Sequence, residues 1–135
     1  MTKPRIRTVP SRIPTAGQRV APLSRPDAPT RGYDAAWVKA ARAFKRANLW
    51  CLGCRAVGLR ASATVVDHVV PHERDQRTFW DAKMWQPACA WHHNSIKKQL
   101  ESLFFRGAIG VDQLWLDSKT AIAMTRDYRR LQKRR

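Results

Sequence analysis

Residues 64–72 read TVVDHVVPH. The paired valines suit a strand, because β-branched side chains fit a pleated, half-buried surface. Asp67 and His68 between them do not, since a charged and a titratable group are poor material for a buried strand. Pro71 lacks a backbone donor and halts pairing, so the strand is expected over residues 63–70. The purpose of an Asp-His pair there depends on what else the chain holds at a fixed distance from it.

Upstream, Asp34 is placed to cap a helix running to about Asn48. Trp37, Ala41 and Phe44 fall at helical spacing, and Lys39, Arg42, Lys45 and Arg46 crowd the remaining surface. Residues 49–56 read as a turn around Cys51 and Cys54, with Gly53 permitting a tight bend. Downstream, HERDQRT reads as a polar loop, and Met84-Trp85 as a return strand pairing antiparallel with the first. A helix is expected from about Asn94 to Phe105, with Ile96, Leu100 and Leu103 as its apolar face and Gly107 and Gly110 beyond it. Residues 112–117 read as a short linker. Ser118 caps a last helix through about Leu131, with Ile122 and Met124 turned inward. The fold class is α+β, and there is no internal repeat.

The length, 135 residues, fits one domain with a modest core. The net charge of +16 and a pI near 11.2 oppose compaction and call for a polyanionic partner, most simply nucleic acid. Residues 1–31 carry net +6 and residues 126–135 net +5, which leaves +5 for residues 32–125. Six of the eight prolines lie in 1–31, interleaved with arginines, so that segment reads as a disordered or extended arm. Three regions follow: a basic arm over 1–31, a domain over 32–125 and a basic tail over 126–135. No run of ~18 apolar residues is present to span a membrane, and the basic start lacks the apolar stretch of a secretory signal.

Three cysteines cannot all pair with one another, and Cys51-Leu-Gly-Cys54 has the spacing of a metal knuckle. Cys89-Ala-Trp-His92 is a second, after 34 intervening residues that must themselves fold. Four soft or borderline donors in two close pairs suit a tetrahedral Zn²⁺ site of the Cys₃His type. Such a site is structural, since four protein ligands leave no open position for chemistry. His93 competes for the same ion through a Cys-x3-His spacing. The tryptophans at 80, 85 and 91 are expected as core around this zinc, and Glu101 as a solvated helix residue.

Asp67 and His68 acquire a partner in His93 at the start of the helix. A strand carrying Asp-His, a return strand and a helix opening on His form a ββα arrangement that can enclose a hard metal ion. Strand neighbours point to opposite faces, so Asp67 and His68 are not expected to share one ion. In CLGC (51–54), TVVDHVVPH (64–72), FWDAKMWQPAC (79–89) and HHNSIKK (92–98), taken in this order, the chain resembles the HNH endonucleases. It is most similar in kind to the small zinc-containing proteins of phages and prophages. The likeness covers about residues 49–101 and extends weakly into LWLDSKTAIAMTRDYRR.

The resemblance implies a ββα-metal (His-Me finger) fold and a metal-dependent phosphodiesterase acting on double-stranded DNA. Asp67 and His93 match the ligands of a catalytic divalent ion such as Mg²⁺, Mn²⁺ or Ni²⁺, and His68 matches the general base. His72 is a candidate phosphate or metal contact. Lys39, Arg42, Lys45, Arg46, Lys97 and Lys98 are candidate nucleic-acid contacts. The same likeness implies a place beside phage terminase subunits in genome packaging, in the cytoplasm of a bacterial host, with homing or restriction cleavage as the alternative. Two departures stand out. The family's second knuckle is usually Cys-x2-Cys-His rather than Cys-x2-His-His, and its middle asparagine is replaced by Met84. The competing expectation is a non-catalytic zinc-knuckle protein that binds nucleic acid.

Overall fold

Asp34 adopts an extended conformation and its carboxylate accepts the Trp37 backbone N–H at 3.0 Å, capping helix α1 (Ala35–Ala47). This computed structural model describes residues 33–73 and 75–134; the arm expected over 1–31 lies outside them. Asn48 closes α1 by donating from its amide side chain to the Phe44 carbonyl. Trp37 and Ala41 are buried on the face that α1 turns toward the sheet.

After Cys51 the chain makes one short helix, α2 (Leu52–Ala56), and then strand β1 (Val65–His68). Strand β2 (Trp85–Ala88) pairs with it antiparallel, with Asp67 opposite Gln86 and His68 opposite Trp85. Backbone bonds from Thr64 to Ala88 and from Val69 to Met84 extend the pairing by one residue at each end. The strand is shorter than 63–70 because its partner is short, bounded by a 3₁₀ turn at Ala82–Met84 and by Cys89.

The segment between the strands is more ordered than its polarity suggests. Asp75 caps helix α3 (Gln76–Phe79), which ends on the fully buried Phe79. Beyond β2 the chain turns helical at Ala90, earlier than the expected Asn94, and runs through a wide π turn (His92–Ile96) into helix α4 (Lys97–Phe105). A 3₁₀ turn (Val111–Leu114) leads to helix α5 (Lys119–Lys133). Its cap Ser118 accepts the Ala121 N–H, and the boundary expected at 126 lies inside it.

The result is a small α+β domain with a two-stranded antiparallel sheet between two apolar clusters. Val66 packs with Trp37, Phe79 and Trp85 on the α1 side. Val69 packs on the other side with Ile96, Leu100, Leu114, Leu116 and Ala121. Within 112–117, Leu114 and Leu116 are therefore core, so the segment is more than a linker. On α5 it is Ala121 and Thr125 that are fully buried, with Ile122 and Met124 only half-buried. Among the described residues no helix is long and apolar enough to cross a membrane.

Candidate functional site

Cys51 and Cys54 flank the first turn of α2, while Cys89 and His92 flank the turn from β2 into the π segment. The four donor atoms lie within 4.8 Å of one another. The Cys54 and Cys89 sulfurs are 3.9 Å apart, and His92 Nδ1 is 3.4–3.5 Å from each of the three sulfurs. Zn–S bonds of ~2.3 Å and a Zn–N bond of ~2.0 Å at tetrahedral angles require edges of ~3.8 and ~3.5 Å. The donor set therefore fits a metal ion such as Zn²⁺.

Electrostatics agree with the geometry. Burial pushes the Cys51 thiol up, and burial together with the two neighbouring sulfurs pushes Cys54 up strongly. A metal cation is what would draw off those protons. Burial lowers His92 to about 4, so its ring is neutral, as ligation requires. Its tautomer is fixed from behind: Thr125 donates to the Ala121 carbonyl at 2.8 Å, so its oxygen accepts from His92 Nε2 at 3.2 Å. That leaves the Nδ1 lone pair facing the sulfurs. Gly53 serves this packing rather than a bend. Its φ is ordinary, and a Cβ there would overlap the His92 ring.

One residue further along, His93 turns to the opposite side. Its Nδ1 lies 3.0 Å from Asp67 Oδ1. The other carboxylate oxygen of Asp67 accepts from Gln86 Nε2 at 2.7 Å and pairs with Lys97 Nζ at 3.0 Å. Burial alone would raise the Asp67 carboxyl, but the bonds from His93 and Gln86 and the Lys97 charge hold it below the usual carboxylate range. Asp67, His68, His72, His93, Lys98 and Glu101 all line one open cleft of about 280 Å³.

His68 faces the other side of β1. Its ring stacks on Trp37 (centroids 5.0 Å, planes 24° apart) and abuts Phe79. His68 Nε2 donates to the Phe79 carbonyl at 2.9 Å, and Trp85 Nε1 donates to the same oxygen at 2.9 Å. Nδ1 is therefore the nitrogen that carries the lone pair. Burial outweighs the Phe79 bond and lowers His68 to about 4, well under an ordinary imidazole. It is neutral at cellular pH and a weaker base than a free histidine. His72 is also lowered by burial; it bonds Tyr33 Oη and lies beside the His68 ring.

Several expected placements change. Lys97 is not a surface contact for nucleic acid. It is 1% exposed, and its ammonium meets the His68 carbonyl (2.7 Å), Glu101 (3.0 Å) and Asp67. Glu101 is correspondingly no solvated bystander but the second carboxylate on that lysine. Lys39, Arg42, Arg46 and Lys98 are exposed and Lys45 is half-buried. Trp85 belongs to the Trp37 cluster rather than to the cysteines, and Trp80, 39% exposed, lies against the same aromatic rings; Trp91 does meet the His92 ring edge-on.

Gln86, fully buried, escaped the sequence reading. It bonds Asp67, the Leu114 carbonyl and the Leu116 N–H, tying the turn before α5 to the cleft. No known family model, curated protein or solved structure matches this chain.

Proposed function

We propose that the chain is a metal-dependent nuclease that hydrolyses phosphodiester bonds of double-stranded DNA. It would use the ββα-metal arrangement implied by its likeness to the HNH endonucleases, with a structural zinc on Cys51, Cys54, Cys89 and His92. One observation carries the reading. Adjacent histidines are divided between a closed four-donor cluster and an open cleft, where His93 shares Asp67 and His68 stands next in the chain. A protein that only binds nucleic acid needs the first of these and not the second.

Asp67 and His93 would hold the catalytic divalent ion; two protein ligands suit a hard cation that keeps water and phosphate oxygens. When bound, that ion supplies positive charge to the leaving oxygen. His68 is held neutral by burial, and its Nδ1 would take the proton of an attacking water. The Phe79 carbonyl keeps its tautomer fixed. Lys97 and Gln86 orient Asp67 by occupying the oxygen that His93 leaves free. The exposed cations of α1, with Lys98 at the cleft, would bind backbone phosphates. If ~6 phosphates are neutralised, the log–log salt slope of duplex binding is about −5. A setting beside a phage terminase is the biological role we attach to this activity.

Met84 is the observation that favours the rival, a non-catalytic zinc-knuckle binder. Its side chain offers no hydrogen bond to brace the inter-strand loop. Here Trp85 and His68 together hold the Phe79 carbonyl, which supplies a brace of another kind. The test is conversion of supercoiled plasmid to nicked or linear form with Mg²⁺, Mn²⁺ or Ni²⁺, with EDTA, and with His68→Ala alongside. Ion-dependent nicking that falls roughly 100-fold or more in the variant is expected. Folded, zinc-loaded protein that binds DNA but nicks with no ion would favour the rival.

A further inference from the structure

Away from the cleft, four cavities adjoin one another through shared wall residues. One of about 420 Å³ lies between the end of α1 and β2 and shares Trp50 and Arg55 with a second of about 490 Å³. The second shares Leu59 with a third of about 270 Å³, whose wall includes Cys54 and His92 of the Cys₃His cluster. The third shares Arg129 with a fourth of about 260 Å³, walled by cations of α5 alone.

Two features set this track apart. Among the described residues, no Asp or Glu lines any of the four cavities, whereas the cleft has Asp67, Glu73 and Glu101. Arg126, Arg129, Arg130 and Lys133 fall at helical spacing on one face of α5, where their mutual repulsion is costly without an anionic partner. Asp127 stands 3.9 Å from Arg130 with both exposed, which offsets little of it.

The second feature is aromatic surface between the charges. Trp50 is 39% exposed with the Arg60 guanidinium 5.1 Å from its ring centre, and Tyr128 is 42% exposed with its ring 4.8 Å from that of Trp91. Planar apolar faces alternating with arginines match unpaired bases joined by phosphates, because every base offers a π-face and every linkage a charge. A duplex hides its base faces and would use only the cations.

We infer that this track, from Trp50 past Leu59 to Tyr128 and the α5 arginines, binds single-stranded nucleic acid. The inference rests on the nucleic-acid reading above for the class of polyanion, but it concerns a surface separate from the cleft.

The test uses zinc-loaded full-length protein and a fluorescent short oligothymidylate, with a duplex and heparin as comparisons. Tyr128→Ala is expected to weaken oligothymidylate roughly 5- to 100-fold, and to leave heparin and duplex affinity unchanged. Tyr128→Phe, which keeps the ring, should bind like wild type. Arg129→Gln should reduce the salt slope for the oligonucleotide by about 0.7. Tyr128 is exposed on α5, and zinc content reports that the fold persists in each variant. Unchanged oligothymidylate binding in Tyr128→Ala, or an equal loss for heparin and duplex, overturns the track. Plasmid nicking measured on the same preparations separates the two readings. Nicking with a track that ignores these variants sinks only this inference. Oligothymidylate binding that depends on Tyr128, without nicking by any ion, sinks only the nuclease.

Discussion

His92 and His93 are neighbours in sequence and opposites in environment. His92 is 1% exposed, its two ring nitrogens committed to three sulfurs and to Thr125. His93 has a side chain 34% exposed and shares one carboxylate at the rim of an open cleft. One helical step separates a site closed around four donors from one with room for a substrate. Closed sites suit stability and open ones suit chemistry, so each region should fail in its own way when disturbed.

Metal removal should produce the largest effect. The cluster joins α2 to the turn before α4 across the 34 residues between Cys54 and Cys89, and it packs three thiols together. Binding of Zn²⁺ to such sites is worth on the order of 10 kcal/mol. Chelation should lower the melting midpoint steeply, and added Zn²⁺ should restore it. A midpoint indifferent to chelator, in protein shown to have lost its metal, would break the contrast at its closed end.

Lys97 sharpens the open end. It is a buried ammonium whose three acceptors are Asp67, Glu101 and the His68 carbonyl. Lys97→Met keeps the aliphatic bulk but strands two carboxylates, one of them 3% exposed. Loss of one partner from a buried ion pair costs roughly 3–5 kcal/mol. Denaturant unfolding should show that loss while zinc stoichiometry stays at one. A cost well under 1 kcal/mol would mean the network is far wetter than its burial indicates.

His68 tests whether the cleft is built for chemistry at the expense of stability in acid. Its pKa is about 4 when folded against an ordinary 6.5. Above pH 6.5 both folded and unfolded forms are neutral and stability is unaffected. As pH falls from 6.5 toward 4 the unfolded chain takes up a proton that the folded one refuses. Stability is lost across that window, by about 3 kcal/mol in all, and levels off below it. His68→Phe retains a ring against Trp37, and the Phe79 carbonyl keeps its Trp85 donor. The variant should abolish nicking, hold its stability at pH 7 and show a flatter decline than wild type between pH 6.5 and 4. Because metal release affects both proteins alike, their difference isolates the histidine. Identical pH curves would mean that His68 is hydrated in the folded protein.

The sequence disclosed those parts of this contrast that are local or chemically distinctive. Asp34 and Ser118 cap their helices through bonds spanning three residues, which a reading of neighbours can see. The cysteine pairs, Asp67 and His93 are residue types seldom gathered without a purpose. Leu114 and Leu116 were lost in a segment too short for a period, although both are fully buried. Lys97 and Gln86 were hidden by polarity, since their burial depends on hydrogen-bond partners 28 to 30 residues away in the chain. Phe79 was masked by the polar run before it, yet its carbonyl fixes the tautomer of His68.

Thr125 gives the smallest expected effect and the most specific one. It reads in sequence as one more helix residue, 33 positions from His92, and it is 1% exposed against that ring. Its hydroxyl hydrogen is committed to the Ala121 carbonyl, so the oxygen can only accept from Nε2 of His92. Thr125→Val preserves shape and removes that acceptor, leaving a buried N–H unsatisfied or driving the proton to Nδ1, where it blocks ligation. Partners of this kind are worth about 10- to 100-fold in metal affinity. Competition against a zinc-binding dye should show that loss in Thr125→Val and near wild-type affinity in Thr125→Ser, which restores the oxygen. Nicking at saturating zinc should be unchanged in both, because the open cleft does not touch Thr125. Equal affinities for the valine and serine variants would mean that the sulfurs alone orient His92, and that α5 packs beside the closed site without tuning it.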